Sequence, residues 1–511
     1  MPPAAGGDAA ERDGLDGLAD AYAAAPLLNC LLRELARPAP GEPGLHRLPA
    51  AGRLLRVRGA RRPAAAEVHE SGRWRRLDHA GLVALVAEEL RGHTGLPNHE
   101  LPAEMLDSRD AVAAILAARA RATPPDDPYL RSEQSLITGH PHHPAPKTRG
   151  GGPAADWLPY APEAHARFPL TLLGVRADTV VDDGDTSALD ALGEAPPGYR
   201  LLPAHPWQLD LAAPDLAAAF ADGRLIRLGA TAAPAWPTAA VRTVYVPGAE
   251  LFLKFSLDVR ITNDVRRLWR HDLLKLRRTD AAVTAAFAAL PGPAAWLSDR
   301  GYRTASFAFE QLAVVVRDGV RDHVLPGATP YLAAGLVEGF AGSPPDATAD
   351  PAGWWRAYLR QVVPPVLTAF AEHGVVLEAH LQNSLIACAA DGTPVQALFR
   401  DVEGVKLLPE TSRRAGWERL VYCLVVNHLV ELAEALAERH PGFDPWPAAR
   451  AELAAARRPD LPEAAALLTA PTLPAKTNLL LRWTGADGAD SRYRPLPNPL
   501  LDGDARYFKG S

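Results

Sequence analysis

The sequence predicts an α+β (mixed α/β) protein built as lobes around one cleft. Three features point to it. Apolar residues recur at helical spacing through much of the first 130 positions. Residues 136–260 turn rich in Pro, His, Gly and aromatics and read as strands and structured loops. After residue 350, short apolar strands sit between long helical patterns. A chain of 511 residues has room for about two to four domains of ordinary size. The expected division is a mainly helical lobe at 1–130, a β-rich lobe at 131–345 and a third lobe at 346–511.

The elements follow in order. Leu15, Leu18, Tyr22, Leu27, Leu28, Leu31 and Leu32 define an amphipathic helix over 8–36 that Pro26 can split. Alternating residues at 53–77 suit a hairpin, and 79–91 and 108–122 are Ala/Leu/Val helices. TPPDDP at 123–128 is a turn cluster. A strand is expected at 251–257, a helix at 263–278 and a strand at 306–316. AGSPPDATADPAG at 341–353 reads as a linker. A helix at 354–373 is expected to kink at Pro364 and Pro365. Strands at 383–388 and 395–400 and a long helix at 416–439 complete the pattern; 474–500 is mixed.

Composition narrows the class. Charged residues are 22 % and the net charge is −6, which gives no support to a nucleic-acid footprint. Cys30, Cys388 and Cys423 lie far apart and form no CxxC, so a reducing cytoplasm is the expected home. The start is acidic and lacks an apolar signal core, and charges interrupt the apolar runs before they reach membrane-spanning length, so no membrane partner is expected. Only six of the 54 basic residues are Lys: Lys147, Lys254, Lys275, Lys406, Lys476 and Lys509. In so Arg-rich a chain, a surviving Lys suggests a need for a compact point charge.

Four blocks could carry chemistry. In the first, Gly139–Gly150, three prolines stiffen a loop that presents His140, His143, Lys147 and Arg149. It suits a carboxylate or phosphate; a polar surface loop and a metal site are the alternatives. The second, His205-Pro206-Trp207-Gln208, reads as a structural corner. In the third, Arg242-Thr243 precede Lys254, which sits mid-strand among Leu251, Phe252, Leu253 and Phe255. A buried ammonium there needs an anion, whereas an edge strand would let it reach water. Thr262-Asn263-Asp264 then supply N-cap chemistry, with Arg266 one turn on. In the fourth, Glu378, His380 and Gln382 alternate before Asn383, and Asp401 ends an apolar strand before Glu403-Gly404. Asn383 and Asp401 are hard oxygen donors suited to Mg²⁺. With Lys254 they form the parts of a phosphotransfer site, without a Gly-rich phosphate loop.

The ordered blocks His140-Pro-x-His143-Pro-x-x-Lys147-x-Arg149-x-Gly151, His205-Pro-Trp-Gln208, Arg242-Thr243, Lys254, Ile261-Thr262-Asn263-x-x-Arg266, Glu378-x-His380-x-Gln382-Asn383, Arg400-Asp401-x-x-Gly404 and Asn498-Pro499-Leu500 resemble the aerobactin-type, IucA/IucC-like siderophore synthetases that work without a nonribosomal peptide synthetase. The match covers roughly 130–500. It implies an open hand whose palm is distantly kinase-like, and a homodimer. It implies ATP- and Mg²⁺-dependent adenylation of a carboxylate such as citrate, then capture by an amine or hydroxyl. By position, Arg242, Thr243, Lys254, Arg266, His380 and Asn383 would hold ATP, and Asn383 and Asp401 the metal. His140, Lys147, Arg149, Thr262 and Glu378 would face the substrate carboxylate. His380, Lys254 and Arg266 would be catalytic. Ala240 stands where the family often has Ser, and the chain is somewhat short for the family. A kinase-like phosphotransferase and a catalytically idle binding protein are the alternatives.

Overall fold

The first helix runs from Gly7 to Glu34 without a break, with Pro26 inside it. It packs with helices His79–Thr94 and Glu100–Arg119. The structure is a computed structural model that describes residues 7–501 except 60, 64, 151, 457 and 487–492. Gly151 of the His-rich loop and Lys509 lie outside the described residues. Residues 53–77 form more than a hairpin: they supply three strands of a five-stranded antiparallel sheet spanning Arg37–Leu77. Leu55, Val57, Ala66 and Val68 turn inward from it onto Leu27, Leu31 and Leu90.

A six-stranded antiparallel sheet occupies the middle of the chain. Its order is Trp236–Pro237, Thr243–Val246, Leu251–Phe255, Val314–Asp318, Asp299–Ala305, Val180–Gly184. The strand expected at 306–316 begins only at Val314; Ser306–Ala308 is a single 3₁₀ turn. A three-stranded sheet of Tyr199–Ala204, Thr171–Arg176 and Leu225–Ala230 lies beside it.

A four-stranded sheet follows, in the order Ala295–Leu297, Pro394–Arg400, Ser384–Cys388, Thr329–Leu332. Ala295–Leu297 runs parallel to Pro394–Arg400, so the pairing joins chain on both sides of residue 345. Residues 341–353 are docked rather than a free linker: Ser343, Pro344 and Pro345 are buried, and the next helix starts at Pro351. That helix, Pro351–His373, continues through Pro364 and Pro365. Apolar packing holds it: Trp355, Tyr358, Val362, Val363 and Phe370 are fully buried, and each large apolar side chain contributes about 1.5–3 kcal/mol by leaving water.

Helix Arg413–Arg439 contains a π-helical stretch at Val421–Val430. It is long and apolar enough to cross a bilayer, but 83 % of its most apolar stretch is buried inside the protein. Its Leu424 joins the core that holds Trp355 and Tyr358. The short helix Asn478–Trp483 returns to the beginning of the chain, where Leu479 and Trp483 join the core of Leu27, Leu31 and Leu90.

Candidate functional site

Strand register explains why distant residues meet. Lys254 pairs with Thr243 on one side and Val315 on the other, and Phe252 pairs with Arg317. Directly paired residues share a sheet face, as do residues two apart. Thr243, Lys254 and Arg317 therefore emerge on the same face. Arg242, just before its strand, also reaches this side. Arg317 is absent from the residues expected at the site, although an Arg closing the apolar run Ala313–Val316 is the same kind of signal as Lys254.

The cations meet carboxylates from the other end of the chain. Lys254 Nζ bonds Asp401 and lies 2.6 Å from Glu403 Oε2. Arg242 Nη2 donates to Glu403 Oε2 at 2.7 Å, and its Nη1 to the Arg266 carbonyl at 3.1 Å. Arg317 Nη2 donates to Asp401 Oδ1 at 3.0 Å and is clamped by Asp299 at 2.5 and 3.0 Å. Burial pushes the Asp401 carboxyl up, but Lys254 and Arg317 outweigh it and hold the group well below the usual range. In the same way, Arg242 and Lys254 overcome burial and hold Glu403 at about 2. Both are ionised at neutral pH, and both are partly exposed.

Asp401 has φ +80°, a left-handed backbone that disfavours a side chain. The strand Pro394–Arg400 ends there, and the Val402 N–H donates to Asp299 Oδ2 at 3.0 Å, which holds the turn. This turn brings the carboxylate to a small, partly open polar cavity. Thr238, Ala240, Arg242, Thr243, Lys254, Ile261, Arg266, Arg317, Gln382, Asn383, Arg400 and Asp401 line it.

Residues 263–278 do not begin as a helix. Arg260–Ile261 and Asp264–Val265 form a small hairpin around Thr262 (φ +62°) and Asn263, and helical structure waits until Arg270. Asn is a turn residue as readily as an N-cap, and here the turn wins. The expected helix-terminus anion site does not form there. Arg266 still donates to Thr262 Oγ1 at 2.7 Å, through the hairpin rather than a helical turn.

Residues 378–383 likewise form a turn, not a strand face: Asn383 N–H donates to the His380 carbonyl at 3.0 Å. Glu378 is ion-paired with Arg419, a second arginine that its sequence surroundings do not mark out. Gly404 lies so close that a Cβ there would fall 1.7 Å from Glu378 Oε2. His380 sits among Glu378, Asp401 and Arg419; burial, its largest influence, lowers its pKa and keeps it neutral at pH 7. Burial, helped by His142, pushes His140 down to about 3, so it too is neutral.

Lys147 and Arg149 are placed away from the cavity lining. Lys147 bonds the Glu163 carboxylate and the Leu136 carbonyl, and Arg149 Nη2 donates to Glu163 Oε1 at 2.9 Å. All three are buried. The loop has found its anion inside the protein, because Glu163 neutralises a cation pair that burial would otherwise leave uncompensated. His205 is a core residue between Tyr160, Phe168 and Phe255, and Gln208 braces Asp258 just beyond the Lys254 strand.

Asn383 and Asp401 both reach the one cavity and offer hard oxygens, a donor set that suits Mg²⁺ completed by phosphate and water. Among the described residues no group of three or more His, Cys, Asp or Glu side chains is arranged to hold a metal by itself.

The model of the IucA / IucC family matches residues 128–338, and that of the ferric iron reductase FhuF-like transporters matches 352–491. Rhizobactin siderophore biosynthesis protein RhbC of Rhizobium meliloti (strain 1021) is 31 % identical over 461 residues, 73 % of this chain and 76 % of that protein. L-2,3-diaminopropanoate–citrate ligase of Staphylococcus aureus (strain NCTC 8325 / PS 47) is 29 % identical over 439 residues, covering 73 % and 75 %. ATP-bound aerobactin synthetase IucA from a hypervirulent pathotype of Klebsiella pneumoniae shares the fold, with TM-score 0.79 at 22 % identity over 94 % of this chain and 99 % of that one. The chain shares its fold with an aerobactin synthetase and much of its sequence with siderophore biosynthesis proteins. The chain belongs to the IucA/IucC family.

Proposed function

We propose that this chain adenylates a carboxylate of citrate and joins it to an amine as an amide, releasing AMP and pyrophosphate. The observation that carries this is the convergence of Arg242, Lys254, Arg266, Arg317, Asn383 and Asp401, from separate segments of the chain, on one cavity. Citrate is the acid named for the staphylococcal relative. The amine stays a class.

Two anions, the acid and the triphosphate, must approach each other. Arg242, Lys254 and Arg266 offset that repulsion, with Thr243 as a further phosphate contact. His140, Thr262 and Arg266 orient the carboxylate, and Glu378, paired with Arg419, is a further substrate contact. Asn383 and Asp401 would hold Mg²⁺, which when bound neutralises phosphate charge. A carboxylate oxygen attacks the α-phosphorus and pyrophosphate leaves. The neutral amine then attacks the acyl carbon, AMP leaves, and His380 takes the amine proton. Lys147 and Arg149 support the His140 loop through Glu163. The chain works as three lobes around this cleft, as a homodimer.

The test is hydroxamate formation from citrate, ATP and hydroxylamine, with the nucleotide product identified. AMP is the expected product; ADP would establish a phosphotransferase instead. Asp401→Asn is expected to raise the Mg²⁺ requirement about 10–100-fold, read as the half-maximal Mg²⁺ concentration for AMP release. His380→Gln is expected to slow amide formation about 10²-fold while sparing citrate-dependent pyrophosphate exchange. Equal loss in both assays would assign His380 to the adenylation step.

A further inference from the structure

We infer that Asn478 is a positioning residue, which locks the 260–265 hairpin and so aims Thr262 and Arg266 at the cleft. The inference rests on the assignment of those two residues to substrate under the proposed function. The hairpin needs such a lock. Its strands are two residues each, far too short to be stable alone. Its turn residue Thr262 holds a left-handed backbone that neighbours must enforce.

The lock is a directional chain of hydrogen bonds across three distant segments. His143 Nδ1 accepts the Ala145 N–H at 3.1 Å. Burial, with the nearby His140, holds this imidazole neutral, so the proton resides on Nε2, which donates to Asn263 Oδ1 at 3.2 Å. Asn263 Nδ2 is thereby left to donate to Asn478 Oδ1 at 3.1 Å. Asn478 Nδ2 then donates to the His142 carbonyl at 2.7 Å. Each link of the chain joins a donor to an acceptor.

Asn478 is itself immobile. It is 2 % exposed and opens a helix whose Leu479 and Leu480 N–H groups donate to the Glu34 carboxylate at 2.9 and 2.8 Å. The N-terminal helix, the C-terminal segment and the His-rich loop thus converge on Asn263, one residue from Thr262.

The experiment uses the full-length enzyme carrying Asn478→Ala and, separately, Asn263→Ala, which cuts the same link from its partly exposed end should the first variant fold poorly. Amide hydrogen exchange over 257–268 is expected to quicken about tenfold in both, the effect of losing the Asn263–Asn478 bond that the two variants share. The KM for citrate in the hydroxamate assay is expected to rise about tenfold. The double variant is expected to match the singles, and in a Thr262→Val background Asn478→Ala is expected to add less than about twofold, because linked residues are non-additive. A merely structural role would add its loss in every background. Unchanged exchange in both variants overturns the lock. Faster exchange with unchanged KM overturns its role in positioning. In that case Thr262→Val separates the two failures: if it raises KM, only the lock is wrong; if it does not, the substrate role of Thr262 is wrong.

Discussion

Lys254→Ala is expected to lower the rate of AMP release by about 10³-fold while the protein stays folded. The ammonium is deeply set in the cavity wall, with its side chain 4 % exposed, and it touches both Asp401 and Glu403. Under the proposed function, that charge would serve phosphate oxygens in a setting where water competes weakly. The fold survives because each carboxylate keeps a second cation: Arg317 for Asp401 and Arg242 for Glu403. Thermal melting is therefore expected to move only a few degrees. Thermal shift with Mg·ATP separates binding from chemistry, and the variant should lose most of the nucleotide-induced stabilisation. Undiminished turnover would remove Lys254 from the phosphate site.

Glu163→Gln is expected to act on stability, by about 3–5 kcal/mol, the cost of leaving buried charge without its partner. Glu163 is the shared anion of Lys147 and Arg149, and all three side chains are about 95 % buried or more. Burial raises the Glu163 carboxyl, but two cations outweigh it and hold it at about 2. Lys147 moves the other way: burial lowers it, and Arg149 adds repulsion that Glu163 only partly offsets. Folding thus favours the charged form of Glu163 and disfavours the charged form of Lys147, although the two are paired. The asymmetry has a geometric cause, since one anion serves two cations, so the intact cluster contributes little net stability and its disruption is costly.

The pH dependence follows from the sign of the Glu163 shift. The folded value, about 2, lies below the ordinary 4.5. Its stabilisation is fully present above pH 4.5 and is lost as pH falls toward 2. Wild-type stability should fall across that window, and the Glu163→Gln variant should show a shallower slope there. Denaturant melts at about pH 7 and across the acid range measure both effects. A variant as stable as wild type would mean Lys147 deprotonates on burial at little cost.

Much of the candidate site is legible in the linear chain. Lys254 in an apolar strand signals a buried anion, and Asn383 and Asp401 at strand ends signal hard oxygens; all three reach one cavity. The misses share a cause. The 263–278 stretch carries residues that serve as N-cap or turn alike, and its hairpin depends on hydrogen bonds to residues 143 and 478. Lys147 and Arg149 have the pattern of an anion site, but a one-dimensional pattern does not reveal whether the anion is a ligand or Glu163. Arg317 closes an apolar run much as Lys254 interrupts one and is legible by the same signal, whereas Arg419 lies among too many arginines to stand out without knowing which acid it faces.

The linear order of residues determined the chemistry available: which charges exist, which lie in apolar strands, and which carboxylates and amides close those strands. It also determined most long helices, because the apolar repeat of a helix is local. Only the three-dimensional packing decided which charges face one another. Strand register placed Thr243, Lys254 and Arg317 on one face, and a left-handed turn brought Asp401 to them. Coulomb energy falls with distance and dielectric, and both are set by the folded chain, not by separation along it.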